Sequence, residues 1–159
     1  MDSNQITDIL YKINATKSFF KGCFINNNVP IHLLNNLGDF FIIVNNITNI
    51  SKMGHWILFF MKNRELLFFD SFGLHPNVYK GDILKFYCSY SGRKRVIINF
   101  AIQNKFSLVC GVYVIYVGYM LSTDRTLCTI FSKFTCNTRK NDRIVLQFLY
   151  KISNIVFTL

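Results

Sequence analysis

Four residues whose side chains together make a thiol-based acyl-transfer centre occur in one chain order: His55, Asp70, Gln103 and Cys110. Such chemistry needs a nucleophile, a base in hydrogen-bond reach of it, a group that holds the base, and a donor for the oxyanion of the tetrahedral intermediate. Cys110 supplies the thiol, His55 the base, Asp70 the carboxylate and Gln103 the amide. His55 is one of three histidines and stands in Gly54-His55-Trp56, ahead of the only tryptophan. Asp70 closes an apolar run in FFDSFG, and Gln103 precedes Cys110 by seven residues in QNKFSLVCG. A histidine beside an aromatic is by itself more often a packed core residue; the four-part spacing is what favours catalysis. His32, near Pro30, and His75, before Pro76, read as loop residues without chemistry.

The elements that must position these groups can be read from apolar periodicity. Residues 40–44, 56–60 and 66–69 are rich in branched and aromatic side chains and read as three strands of a meander. Lys62, Asn63 and Arg64 form the turn between the second and third, so the end of the third returns beside the start of the second. That hairpin brings Asp70 to His55. A buried helix is expected to begin near Cys110, where the partial positive charge of a helix N-terminus favours thiolate, as would an adjacent imidazolium. An opening helix is expected over 4–13 with Asp2 or Ser3 as its cap, followed by loop through Gly22, Asn26–Asn28 and Pro30. Further on, a helix over 82–90, a basic turn at Arg93-Lys94-Arg95, a strand over 96–101 and a final helix in TRKNDRIVLQFLYKI complete the reading. Strands in the middle with helices around them give an α+β class: a central mixed or antiparallel sheet flanked by helices.

With 159 residues, no repeat and no Pro-rich or Ser-rich linker, the chain reads as one domain over 1–159. Hydrophobic residues reach 51% and aromatics 16%, enough to build a core without disulfides and to exclude a disordered chain. The N-terminus carries no basic segment leading into an apolar one, so no targeting peptide is visible. The longest apolar run, 106–121, falls short of the roughly 20 residues a membrane span needs. Five cysteines form no CxxC pair and are odd in number, which argues against a zinc ribbon and a closed disulfide framework. No metal site is expected, and Cys23, Cys88, Cys128 and Cys136 read as buried small hydrophobes. Eighteen Lys and Arg against eight Asp and Glu give a net charge of +10, which points to an acidic partner, with non-specific DNA the obvious polyanion. Arg93, Lys94 and Arg95 are the candidate DNA-binding cluster; a solvated turn is the alternative.

The ordered set of His-Trp, an acid before a Phe-Gly turn, and Gln seven residues ahead of Cys-Gly resembles the adenovirus maturation protease family, also called adenain. IIVN at 42–45 and the start of the last helix, TRKND, extend the resemblance, which is most specific over 42–73 and 103–118. It implies the fold of adenain and the ubiquitin-like-modifier proteases. By position it implies His55 as base, Asp70 as orienter, Gln103 in the oxyanion hole, Cys110 as nucleophile and Trp56 beside the substrate. Two departures stand out: the acid is Asp where adenoviral members carry Glu, and the stretch between Asp70 and Gln103 is shorter. No metal or small-molecule cofactor is implied; DNA and an activating peptide are the cofactors the family uses. Cys88 lies in the region of the peptide's disulfide partner, but its offset does not match and the role is not carried onto it.

The function this implies is a cysteine endopeptidase that cleaves viral structural precursors, capsid or core proteins, during particle maturation, preferring small residues near the scissile bond. A monomer in the virion and in the host nucleus or cytoplasm is the corresponding expectation. The alternatives are an isopeptidase that removes ubiquitin-like modifiers with the same four residues, and a non-enzymatic DNA-binding protein that keeps the fold without turnover.

Overall fold

The computed structural model describes residues 1–47 and 54–157, with side chains through 152. In chain order the elements are α1 (Ser3–Lys12), α2 (Asn14–Lys17), β1 (Phe20–Ile25), α3 (Ile31–Leu34), β2 (Phe40–Asn45), β3 (Trp56–Lys62) and β4 (Glu65–Phe69). A 3-10 turn (Pro76–Val78), α4 (Asp82–Ser89), β5 (Lys94–Ile98), α5 (Cys110–Ser122), α6 (Leu127–Phe131) and α7 (Thr138–Phe157) follow. The five strands form one mixed sheet in the order β1-β2-β3-β4-β5, with β1 parallel to β2, β2, β3 and β4 antiparallel, and β5 parallel to β4. The α+β class with a mixed sheet and flanking helices is what the sequence predicts.

Two apolar layers form because side chains alternate across each strand. Phe41, Ile43, Leu58, Phe60, Leu67 and Phe69 face α1, α5 and α7. Their neighbours Phe40, Ile42, Val44, Ile57, Phe59, Met61, Leu66 and Phe68 face α4 through Ile83, Phe86 and Tyr87. Being covered on both faces, β2 and β3 read as unbroken apolar runs rather than as an alternating pattern. Helix α5 is apolar all round for the same reason, with 11 of its 13 residues buried. It lies close on β2: a Cβ added at Gly118 would stand 3.1 Å from the Phe41 ring.

The hairpin turn comes out as expected, with Asn63 and Arg64 both at positive φ, the two-residue geometry that matches strand twist. The opening helix is capped by Asp2, whose carboxylate accepts the Gln5 N–H while the Gln5 side chain accepts the Asp2 N–H. Elsewhere the local reading needs correction. Gly22 lies in β1 rather than in a loop, at a register break where φ is +135°, a conformation only glycine takes easily. Lys94 and Arg95 are the first residues of β5 and not a turn, because β4 offers them an edge to pair with. His32 lies in the short helix α3. Cys88, Cys128 and Cys136 are exposed, on α4, on α6 and just before α7, and only Cys23 is half-buried. The short helices α2, α3 and α6 carry too few residues for a periodic signal.

Candidate active site

The β3–β4 hairpin puts Asp70, one residue past β4, beside His55, one residue ahead of β3. His55 Nε2 donates to Asp70 Oδ1 at 2.6 Å, with the carboxylate fully shielded from solvent. Each partner is held by further bonds. The His55 N–H donates to Asn46 Oδ1 at 2.8 Å, the His55 carbonyl accepts from Asn46 N at 3.0 Å, and Phe72 stacks on the imidazole at 4.5 Å. Asp70 Oδ1 also accepts the Phe72 N–H at 2.8 Å, and Asp70 Oδ2 accepts the Tyr79 hydroxyl. Both carboxylate oxygens are thus occupied without a cation other than the imidazolium, the arrangement that fixes a histidine's tautomer and orientation.

With Nε2 committed to Asp70, Nδ1 is the nitrogen left to face Cys110. It is buried with no well-aligned partner, yet His55 and Cys110 are close enough to shift each other's titration. Burial works against the imidazolium, but the bond to Asp70 and the Cys110 sulfur outweigh it and lift His55 from 6.5 to about 9. Burial likewise works against a Cys110 thiolate, and the His55 contact with hydrogen bonds from the backbone at Trp56 and Gly111 bring the thiol below its ordinary value of 9.0. The two shifts favour a thiolate–imidazolium pair. Cys110 is the first residue of α5, and Val109 before it provides no side-chain cap, so the thiol belongs to an uncapped first turn, where the helix dipole favours negative charge.

Gln103 reaches the same place from the loop between β5 and α5. Its backbone N–H donates to the Ser71 carbonyl at 3.0 Å, its Oε1 accepts from Ser71 Oγ at 2.5 Å, and its Nε2 donates to the Ser107 carbonyl at 2.8 Å. The start of α7 holds this loop from behind. Asn141 Nδ2 donates to the Ile102 carbonyl at 3.0 Å, and Asp142 Oδ1 accepts from Tyr113 at 2.9 Å and from Asn104 N at 3.3 Å. This gives the TRKND segment a structural job. His55, Trp56, Gln103 and Cys110 line one open cleft of about 650 Å³, with Met1, Gly54, Phe72 and Leu108 among its other walls. Trp56 is nearly buried there, and its indole N–H donates to the Met1 carbonyl at 3.1 Å.

Of the four residues singled out for chemistry, His55, Gln103 and Cys110 line one cleft together with Trp56, and Asp70 lies buried behind His55. Arg93, Lys94 and Arg95 do not join them. They lie where β5 begins, beside Glu65 at the start of β4, at the end of the sheet away from Asp70. Lys94 Nζ pairs with Glu65 at 2.6 Å, while Arg93 and Arg95 stack on Tyr90 and Tyr87 at 4.9 and 4.5 Å. His75 accepts the Asn77 N–H through Nδ1 and caps the 3-10 turn. Sequence reasoning missed Asn46, Ser71, Tyr79, Asn141 and Asp142. Ser71 lies inside the FFDSFG motif and Asn141-Asp142 inside TRKND, whereas nothing local marks Tyr79, nine residues from the carboxylate it meets. Among the described residues no three His, Cys, Asp or Glu side chains gather as a metal site, and no helix is long and apolar enough to cross a membrane.

The fold and cleft define an α+β protein with a cysteine, a histidine and a carboxylate converging at the mouth of a central helix. No family model and no curated protein sequence matches the chain. Solved structures do. The Chlamydia trachomatis effector protein ChlaDUB1 matches with a TM-score of 0.57 at 13% identity, over 98% of this chain and 72% of that one. The 1.7 Å structure of the same Chlamydia protein gives 0.55 at 14% identity, over 98% and 78%. The C. trachomatis effector protein Cdu1 bound to ubiquitin gives 0.54 at 14% identity, over 98% and 79%. At such identity the likeness establishes the shared fold.

Proposed function

We propose that this chain is a cysteine hydrolase that releases ubiquitin or a ubiquitin-like modifier by cutting the bond after the modifier's C-terminal tail. The observation that carries the reading is the His55–Asp70 pair, its carboxylate buried, coupled to a Cys110 of lowered pKa that shares one cleft with His55. The choice of substrate class follows the fold shared with ubiquitin-bound Cdu1. In the reaction, the Cys110 thiolate attacks the carbonyl carbon at the end of the tail. The Gln103 amide and the Cys110 N–H receive the oxyanion. His55 gives its Nδ1 proton to the leaving amine, the C–N bond breaks and a thioester remains. A water then loses a proton to His55, attacks the thioester carbonyl and restores the thiolate as the carboxylate leaves. Asp70 keeps Nδ1 aimed at the sulfur through both steps and stabilises the imidazolium.

The sequence resemblance places the viral maturation endopeptidase first and the isopeptidase second; the ubiquitin-bound neighbour reverses that order. Maturation cleavage stays as the second reading because residues 42–73 and 103–118 carry the adenain-like pattern, and the +10 charge keeps a DNA cofactor attached to it. One experiment separates the two. The protein is incubated with ubiquitin and with several ubiquitin-like proteins, each ending in a C-terminal electrophile, and in parallel with particle precursor proteins whose fragments are mapped by mass spectrometry. Covalent capture of a modifier on Cys110, absent in Cys110→Ala, supports the isopeptidase. Precursor cleavage without capture supports the maturation protease, and neither outcome in folded protein rules out both.

A further inference from the structure

We propose that Ser71 is a positioning residue for catalysis, its hydroxyl clamping the Gln103 carboxamide so that one Nε2 hydrogen is kept for the oxyanion; this rests on the hydrolase reading above. A glutamine amide has two faces of similar shape and opposite polarity, and only its partners decide which way it sits. Here the decision comes from Ser107. Its backbone carbonyl cannot donate, so the amide atom 2.8 Å away must be nitrogen. Oε1 then faces Ser71 Oγ at 2.5 Å, and the hydroxyl, which could do either, has to donate.

The inventory of Gln103 hydrogens leaves one that is only weakly held. Nε2 carries two hydrogens. The Ser107 carbonyl takes one at 2.8 Å; the other approaches Ser107 Oγ at 3.3 Å, a long bond for an amide donor, while that hydroxyl's own hydrogen goes to the Asn104 carbonyl at 2.9 Å. The second hydrogen is therefore the weakly held one, on a side chain that lines the same cleft as Cys110. An oxyanion donor contributes most when it is fixed before charge develops. Ser71 and Gln103 are both buried, which removes water as a substitute partner for Oε1. Ser71 also sits directly after Asp70, and its carbonyl accepts the N–H groups of Ile102 and Gln103 at 3.0 Å each. The acid that holds the base and the hydroxyl that holds the oxyanion donor are thus consecutive residues of one turn, so the two halves of the site cannot drift apart.

The test uses Ser71→Ala, which keeps the backbone carbonyl bonds, with Ser71→Thr restoring a donor. With a ubiquitin or ubiquitin-like C-terminal fluorogenic amide as substrate, Ser71→Ala lowers kcat about tenfold with KM unchanged, as for a group that acts in the transition state. Cys110 alkylation by iodoacetamide keeps its rate, Ser71→Thr recovers most of kcat, and Ser71→Ala adds no further loss on top of Gln103→Ala. Independently of turnover, the two Gln103 side-chain amide proton signals, assigned by their loss in Gln103→Ala, are well separated in the wild type and draw together in Ser71→Ala. Unchanged amide signals, a wild-type kcat in Ser71→Ala, or fully additive losses would overturn the clamp. A wild type without turnover sinks the hydrolase reading instead, and the amide signals still decide the clamp.

Discussion

His55 Nε2 lies 2.6 Å from Asp70 Oδ1, and that one contact sets which imidazole nitrogen meets the thiol. For the hydrolase proposed above, it also sets the pH range of the reaction. Turnover should rise with pH as Cys110, held below its ordinary value, loses its proton, and should fall as the imidazolium is lost near 9. Because the groups interact, both limbs belong to the pair rather than to either residue. Asp70→Asn removes the charge that raises His55, so the alkaline limb should move to lower pH and kcat should drop. A profile of kcat/KM against pH for both proteins checks this; an alkaline limb indifferent to the substitution would contradict it. The sign for stability follows from the same shift. His55 is raised above its unfolded value of 6.5, so its contribution is complete below 6.5 and is lost as pH climbs through about 9.

Gln103→Ala should lower kcat by roughly a hundredfold, about 3 kcal/mol, with little change in KM, because the donor acts on charge that exists only in the transition state. Steady-state kinetics decide the matter. A large rise in KM at constant kcat would make Gln103 a substrate-binding residue.

Tyr79→Phe should destabilise the fold and weaken catalysis together. Burial and the neighbouring carboxylate hold the Tyr79 phenol protonated, well above its ordinary range, so it is a permanent donor to Asp70 Oδ2. Without it one oxygen of a fully buried carboxylate has no partner, a loss of about 1–3 kcal/mol. In a chain of this length that lowers the melting temperature by about 2–4 °C per kcal/mol. Thermal melts of both proteins near neutral pH, together with kcat, measure the two effects. An unchanged melting temperature would mean that Oδ2 finds another donor.

Gly73→Ala should be among the most damaging single-methyl changes in the chain. Gly73 has φ +70°, its N–H closes the turn onto the Asp70 carbonyl at 2.9 Å, and an added Cβ would lie 2.5 Å from the Phe100 carbonyl carbon. The turn has to move, and Asp70 moves with it. Chemical denaturation should show a clear loss of stability, whereas Gly92→Ala, where an added Cβ meets nothing within 4 Å, should be nearly neutral.

Much of the site is legible in the chain because its parts are local. The strand runs 40–44, 56–60 and 66–69 announce themselves by composition, the turn at 62–64 forces a hairpin, and a hairpin must bring position 70 back to position 55. The start of α5 at Cys110 is equally readable, since a long apolar run has to be a buried element. Side chains whose partners lie far along the chain are different. Tyr79 reaches Asp70 over the 3-10 turn, Ser71 grips Gln103 across 32 residues, and Asn141 holds the Ile102 carbonyl across 39. None of these residues carries a pattern of its own, because a hydroxyl or an amide serves equally well on a solvated surface. Strand β1 eluded the sequence reading for a related reason: Gly22 signals a loop until the edge of β2 is there to pair with. The sequence by itself singled out the thiol, the imidazole and the carboxylate as candidates, and the hairpin that joins two of them. Only the tertiary structure decided how Asp70 and Gln103 are held, because burial turns a lone hydroxyl into an obligatory partner, and burial is a property of the packed molecule.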